Sequence, residues 1–471
     1  MRARHGPGPW PHYGDPLPDA LPDPSRIRLI GGGADGLCLP EGTESSIPSA
    51  AALADRIQRI TATRLDHEAV AEFHDALTHW RALAFADDLS TELRRRALPR
   101  TGLRVLGRRL AAHGTHRNPV KIGLLLLGLG GDHRDRELLL LLGTLDELTL
   151  FAAVALLRSQ PDPDTAVHTL AQRVAGWGRI NAVRRLQGTD DPVIRAWLLR
   201  EGFRNTVMNV YLAPLAATTG RLHEALAASS VDQQLLDGAG SILAALADMP
   251  SSDVGPGLAE YPHSVPVLRR YADLVDTAAP TVDCLENLLT IAGFLRRASE
   301  DLAWSPADLQ QLTGRYQALL NDPRWPGLLR AHLADPHRPD FHAALGPASA
   351  LGIDPMPEAL ARLDSAPPLT DYTWYWALRH TDDRDQAEHI ATLAALQLTE
   401  SLPTAPRPGN SGHILRILAS VLGRHPGVGW PILHAALLSS DADTRGASLR
   451  TLAAWPSEEL PAEAIAYLGR C

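Results

Sequence analysis

Lysine is almost missing from this chain. Lys121 is the only one among 45 basic residues, and the rest are arginine. We read that as the codon usage of a GC-rich genome rather than a design for phosphate recognition. Aromatic residues are scarce at 5%. A core must then be filled by aliphatic side chains, which suits helix-on-helix packing better than a sandwich of strands. Only three cysteines occur, Cys38, Cys284 and Cys471, widely separated and without a CxxC pair. That excludes a disulfide framework and a zinc knuckle, and it fits a reducing cytoplasm. Long apolar runs are lacking too. Gly123–Gly130 is too short to cross a bilayer, and Leu138–Leu157 carries Asp146 and Glu147, each costing roughly 3 kcal/mol in lipid. Both are predicted to be buried core helices, so no membrane partner is expected. Arg2 and Arg4 are followed by Gly6, Pro7, Pro9 and Pro11 rather than an apolar stretch, so no secretory leader is expected, and a cytoplasmic location follows.

What is present is ordinary globular composition: 471 residues, 45% hydrophobic and 21% charged, with a formal net charge of -9. A general nucleic-acid binder would be basic. The charge is uneven, however. Residues 101–210 hold fifteen Lys/Arg against ten Asp/Glu; a solvated helical face explains that count, and one local anionic partner is the alternative.

Residues 1–48 are rich in proline and glycine and show no helical period, which predicts an irregular N-terminal tail, with a small hairpin around Arg26–Pro40. From 49 to 471 the pattern is helix, short break, helix. Val167, Leu170, Ala171 and Val174 share one helical face; so do Leu235, Ala239, Ile242 and Leu246; Leu285, Leu288, Ala292 and Leu295; and Ile414, Ile417, Leu418, Val421 and Leu422. Asp191-Pro192, Ser305-Pro306 and Asp322-Pro323 read as helix starts: the side-chain oxygen accepts free N–H groups and the proline loses no bond. Gly188, Gly202 and Gly220 fall where helix ends are expected. Helices of about ten to eighteen residues joined by short breaks make antiparallel hairpins, and many hairpins in series bury a continuous core only by stacking.

Three short motifs match patterns of reactive or cofactor sites, and each reads as a structural element in this chain. Gly31-Gly32-Gly33-Ala34-Asp35-Gly36 fits a dinucleotide fingerprint, but Pro40 and Gly42 oppose the helix that must follow it, so a turn is expected. His133-Arg134-Asp135 has the spacing of two iron ligands, with His168 as a remote third, yet it reads as an exposed turn before a helix. His332, His337 and His342 are five apart across two prolines and predict a polar loop rather than a metal site. No catalytic residue, metal or cofactor is expected.

The most distinctive stretch is 176–211. Trp177, Arg179, Arg184, Arg200, Arg204, Asn205, Asn209 and Tyr211 are the candidate binding residues, because arginines with asparagines and aromatics can line a groove for a carboxylate, a phosphate or an acidic peptide. A ladder of polar contacts between repeats accounts for the same residues. Helical spacing directs Val193, Ile194, Trp197 and Leu198 inward. In the aromatic run, Tyr372, Tyr375 and Trp376 can share a face with Trp374 directed elsewhere, as core filling or as a protein-binding hot spot.

Two stretches resemble degenerate HEAT units: Asp132–Gln160, and Ser440–Leu452 with its Asp441, Asp443, Arg445 and Ala447. The resemblance implies an all-α superhelix of the HEAT/armadillo kind. Residues about 120–250, through Gly176-Trp177-Gly178-Arg179-Ile180, Trp197–Gly202 and Asn205–Tyr211, also resemble a group of bacterial helical-repeat proteins, some labelled limonene hydroxylase. That label implies an oxidative enzyme, whereas no haem, flavin or iron site is legible. The expected function is therefore a non-enzymatic scaffold whose concave groove binds a protein or an acidic peptide. The alternatives are an enzyme of unstated reaction and a nucleic-acid binder using 176–211.

Overall fold

The computed structural model describes residues 17, 19, 33, 48–62, 66–248, 255–297, 304–401, 411–439 and 441–469. The expected hairpin at Arg26–Pro40, the glycine motif apart from Gly33, Cys38 and Cys471 lie outside them. The protein is all-α: among the described residues there are 25 α-helices and no strand. Two compact units emerge, one running to Tyr271 and the other from Ala272.

The helices begin with Ala50–Ala62 (α1), His67–Thr78 (α2), Ala86–Arg96 (α3), Arg100–His113 (α4), Arg117–Gly130 (α5), Arg136–Gly143 (α6) and Asp146–Ser159 (α7). Pro163–Ala171 (α8), Gly176–Val183 (α9), Pro192–Trp197 (α10), Ala213–Thr219 (α11), Leu222–Ala227 (α12), Gln233–Asp248 (α13) and Ser264–Thr277 (α14) follow. Then come Val282–Arg297 (α15), Pro306–Leu320 (α16), Arg324–Leu333 (α17), Leu345–Ala350 (α18), Met356–Asp364 (α19) and Tyr372–His380 (α20). Arg384–Ser401 (α21), Ser411–Val421 (α22), Trp430–Leu437 (α23), Ala442–Ala454 (α24) and Ala462–Leu468 (α25) complete the set. Several are shorter than the ten residues expected, down to six in α10 and α12.

Within each unit the main contacts join near neighbours in sequence. In the first, α4 packs on α5, α5 on α7, α6 on α7, and α7 on α8 and α9. In the second, α20 packs on α21 and α22, α21 on α23, and α22 on α23 and α24. The interfaces are aliphatic: Leu103, Leu106, Ile122, Leu126, Leu139, Leu156 and Leu170 are all at or below 4% exposed. Burying a leucine side chain contributes roughly 2 kcal/mol. α5 is buried around nearly its whole circumference, as expected for Gly123–Gly130. Its glycines allow a close crossing with α4. A Cβ on Gly123 would sit 2.6 Å from the Ala111 nitrogen, and one on Gly130 2.6 Å from the Arg100 carbonyl oxygen. Among the described residues no helix is long and apolar enough to cross a membrane.

The expected caps form with one shift. The Asp191 carboxylate accepts from the N–H groups of Val193 and Ile194, and the Ser305 hydroxyl accepts from that of Asp308. Asp322 accepts from the Arg324 N–H at 2.8 Å, but the helix starts at Arg324, so Pro323 is its cap and not its first residue. Gly188 takes the left-handed φ of 78° that only glycine adopts freely; Gly220 does not, with φ -68°.

Candidate functional site

All eight candidate residues stand in the first unit: Trp177 and Arg179 on α9, Arg184 in the turn that follows it, and the other five on the chain between α10 and α11. Gly176 opens α9 with φ 50°, and the next residue, Trp177, is buried to 5% with its ring 5.0 Å from that of Tyr211. Gly33 lies over the same indole, where a Cβ would come within 3.1 Å of Nε1. Arg179 folds back on its own helix start. Its Nε donates to the Val174 carbonyl at 3.1 Å, its Nη1 reaches the Glu201 carbonyl at 3.5 Å, and its guanidinium lies 5.4 Å from the Trp197 ring centre. Burial lowers the Arg179 pKa, with Glu201 opposing. Arg184 is half-buried in the 3-10 turn Arg184–Leu186 that follows α9.

α10 does not stop at Trp197 but widens into a π turn, Leu198–Gly202. Arg200 donates from Nη1 to the Ala196 carbonyl and from Nη2 to Asp232 Oδ2 at 2.6 Å. The Arg200 bond, joined by the Leu235 N–H, holds the Asp232 carboxyl below its ordinary range. Arg204 is exposed, with Nη2 3.4 Å from Ser241 Oγ and its guanidinium over the Phe203 ring. Asn205 builds the following turn: Oδ1 accepts from the Val207 and Met208 N–H groups, and Nδ2 donates to the Phe203 and Met208 carbonyls. Asn209 Oδ1 accepts from the Asn205 N–H. The two asparagines thus shape the backbone locally.

The structure therefore pairs Trp177 with Tyr211 and joins Arg200 to Arg204, whose Nε donates to the Arg200 carbonyl. The sequence did not reveal three partners. The His168 and Trp197 rings meet edge to face with their centres 4.6 Å apart, and His168 Nε2 is buried without a partner among the described residues. Burial lowers the His168 pKa, which favours the neutral imidazole. Asp232 and Ser241 are the other two. Asp232 carries a legible signal, since it accepts from the Leu235 N–H at the start of α13. Of the four residues directed inward, Ile194 and Leu198 are buried and Trp197 is half-buried, but Val193 is 68% exposed. Val193 stands in the first turn of α10, ahead of the π turn.

The remaining motifs resolve as follows. The expected turn before α6 forms, with His133 and Arg134 exposed, but the Asp135 side chain is fully buried, bonded to Arg104 at 2.7 and 3.1 Å and to Arg108, and it closes a capping box with Asp132. His332 is a buried helix residue whose Nε2 bonds the Asp340 carbonyl. In the aromatic run both tryptophans turn inward, Trp374 at 0% and Trp376 at 3% exposed, while Tyr372 is 47% exposed. Trp374 Nε1 donates to the Pro367 and Pro368 carbonyls. Tyr372 and Tyr375 share a face, their rings 5.2 Å apart, with Trp374 directed elsewhere as expected, whereas Trp376 departs from that face into the core. Among the described residues no group of three His, Cys, Asp or Glu is placed to hold a metal ion.

Two cavities lie away from 176–211. One of about 310 Å³ is lined by Arg100, Thr101, Arg104, Val105, Gly130, Gly131, Asp132 and Arg134. The other, about 340 Å³, lies between the start of α15 and the end of α17 and includes Asp283, His332, Arg338 and Asp340. No family model, no curated protein and no solved structure matches this chain.

Proposed function

We propose that the chain is a HEAT/armadillo-like stack of helical hairpins that works as a non-enzymatic scaffold, binding a partner protein or an acidic peptide on the concave side that carries 176–211. The observation that supports it is a ladder of polar bonds between successive hairpins. Arg104 and Arg108 reach Asp135, Arg136 reaches Asp162, Thr189 reaches Asp164, Arg200 reaches Asp232 and Gln234 reaches Glu201. The sequence separations run from 25 to 33 residues, the length of one hairpin. Polar groups at 176–211 thus brace repeats instead of converging on an enclosed cleft, which favours a surface over a catalytic centre. The exposed Arg204, the 51%-exposed Met208 and the half-buried Tyr211 border a rigid asparagine turn. Arginine, methionine and tyrosine are the residues enriched at protein interfaces.

Selection of an Asp/Glu-rich peptide library on the purified protein tests this. Enriched peptides should bind Arg200→Ala/Arg204→Ala at least tenfold more weakly. Equal binding by that variant would remove 176–211 as the surface. A salt-dependent gel shift with duplex DNA, or a haem, flavin or iron signal in the purified protein, would replace the reading with the nucleic-acid or oxidative one.

A further inference from the structure

We infer that the cavity between the start of α4 and the Gly130-Gly131 turn is a binding site for a small organic phosphate monoester. It lies apart from 176–211 and does not depend on the scaffold reading. α4 carries Arg100, Arg104 and Arg108 at intervals of four, on one helical stripe where like charges repel. The close crossing at Gly130 brings the Gly131 carbonyl to Arg100 Nη2 at 3.0 Å and the His133–Asp135 turn under Arg104.

Only part of the positive charge is neutralised. Buried Asp135 takes Nε and Nη2 of Arg104 and Nη1 of Arg108, while Asp132 takes Nε and Nη2 of Arg134. Three guanidiniums and one carboxylate line the cavity, and the Arg108–Asp135 pair behind it is neutral. An excess of two positive charges remains, the charge of a phosphate monoester above its second pKa of about 6. Arg100, Arg104 and Arg134 each keep Nη1 free of bonds to the described residues, and the Thr101 hydroxyl adds a donor at the rim. Asp135 fixes Arg104 from behind, so that guanidinium is oriented before any ligand arrives. Val105, 51% exposed, supplies an apolar wall for an organic substituent, and about 310 Å³ is enough for a small ester.

Calorimetric titration of the full chain with inorganic phosphate, phenyl phosphate and a phosphoserine peptide at low salt decides the matter. Saturable binding is expected, tightest for phenyl phosphate and strengthening as pH rises through about 6. Arg100→Gln and Arg134→Gln should each lose about tenfold, one charge-assisted contact apiece, and Arg95→Gln, remote on α3, should lose none. Helical content and melting temperature of each variant establish that it is folded. The assignment is overturned by absence of saturation with both phosphate and phenyl phosphate, or by unchanged affinity in both folded variants. Tighter binding of the phosphoserine peptide than of phenyl phosphate also overturns it, by making a protein chain the source of the group.

Discussion

Replacing Asp135 should unsettle the first unit more than replacing any exposed carboxylate. Its side chain is fully buried, while Arg104 and Arg108 are 21% and 44% exposed. The carboxylate accepts two bonds from Arg104, one from Arg108 and one from the Asp132 N–H. Breaking a buried ion pair from one side costs about 3–5 kcal/mol, and the water available to Arg108 and Arg104 brings the estimate to the low end. We expect roughly 3 kcal/mol for Asp135→Ala and about 2 kcal/mol for Asp135→Asn, which keeps one acceptor. For a unit of this size 3 kcal/mol lowers the melting temperature by roughly 6–12 °C, read by circular dichroism. The pair Arg104→Met/Asp135→Leu should be less destabilised than the sum of its single changes, since removing both partners leaves no unpaired buried charge. Burial pushes the Asp135 carboxyl up, but the bonds from Arg104, the Asp132 N–H and Arg108 outweigh it and hold the group below 3.8. Its stabilisation is complete above 3.8 and disappears as pH falls through the lower folded value, so Asp135→Asn should flatten that acid limb. A melting shift under about 1 °C for Asp135→Ala would refute the reasoning.

Gly238→Ala should cost roughly 3 kcal/mol, because a Cβ there runs into the Leu199 carbonyl where α13 crosses the π turn and backbone cannot yield as a side chain does; urea midpoints measure it, and a neutral result would contradict the crossing. Ala97→Gly should stabilise by about 0.5–1 kcal/mol, since Ala97 ends α3 at φ 48° and glycine removes that strain. His168 has its pKa lowered by burial, so its contribution is complete above 6.5 and is lost as pH falls through the folded value. His168→Gln should reduce the loss of stability on acidification below 6.5, and an identical pH profile would rule the contribution out.

The helical class was legible because aliphatic periodicity is a local property. Leu235, Ala239, Ile242 and Leu246 are all buried on α13, and the Asp191 and Ser305 caps form as expected. Features set by distant residues were not legible. Asp135 looks like a turn residue until Arg104 and Arg108, 31 and 27 positions earlier, arrive to neutralise it. Val193 is exposed in the first turn of a helix only six residues long, and Trp376 turns into the core away from the exposed Tyr372. At the candidate site the residue types were visible, but the side-chain acceptors of Arg200 and Arg204, Asp232 just before α13 and Ser241 on it, lie 32 and 37 residues on.

Native-state hydrogen exchange, comparing Gly238→Ala with the parent chain, tests most directly whether the hairpins are stacked as successive neighbours. Faster exchange confined to α13, the 198–202 turn and the adjoining α11 is the predicted result, with α4 and α5 unchanged. Uniform acceleration across the whole first unit would mean a single shared core and would contradict the stacked arrangement.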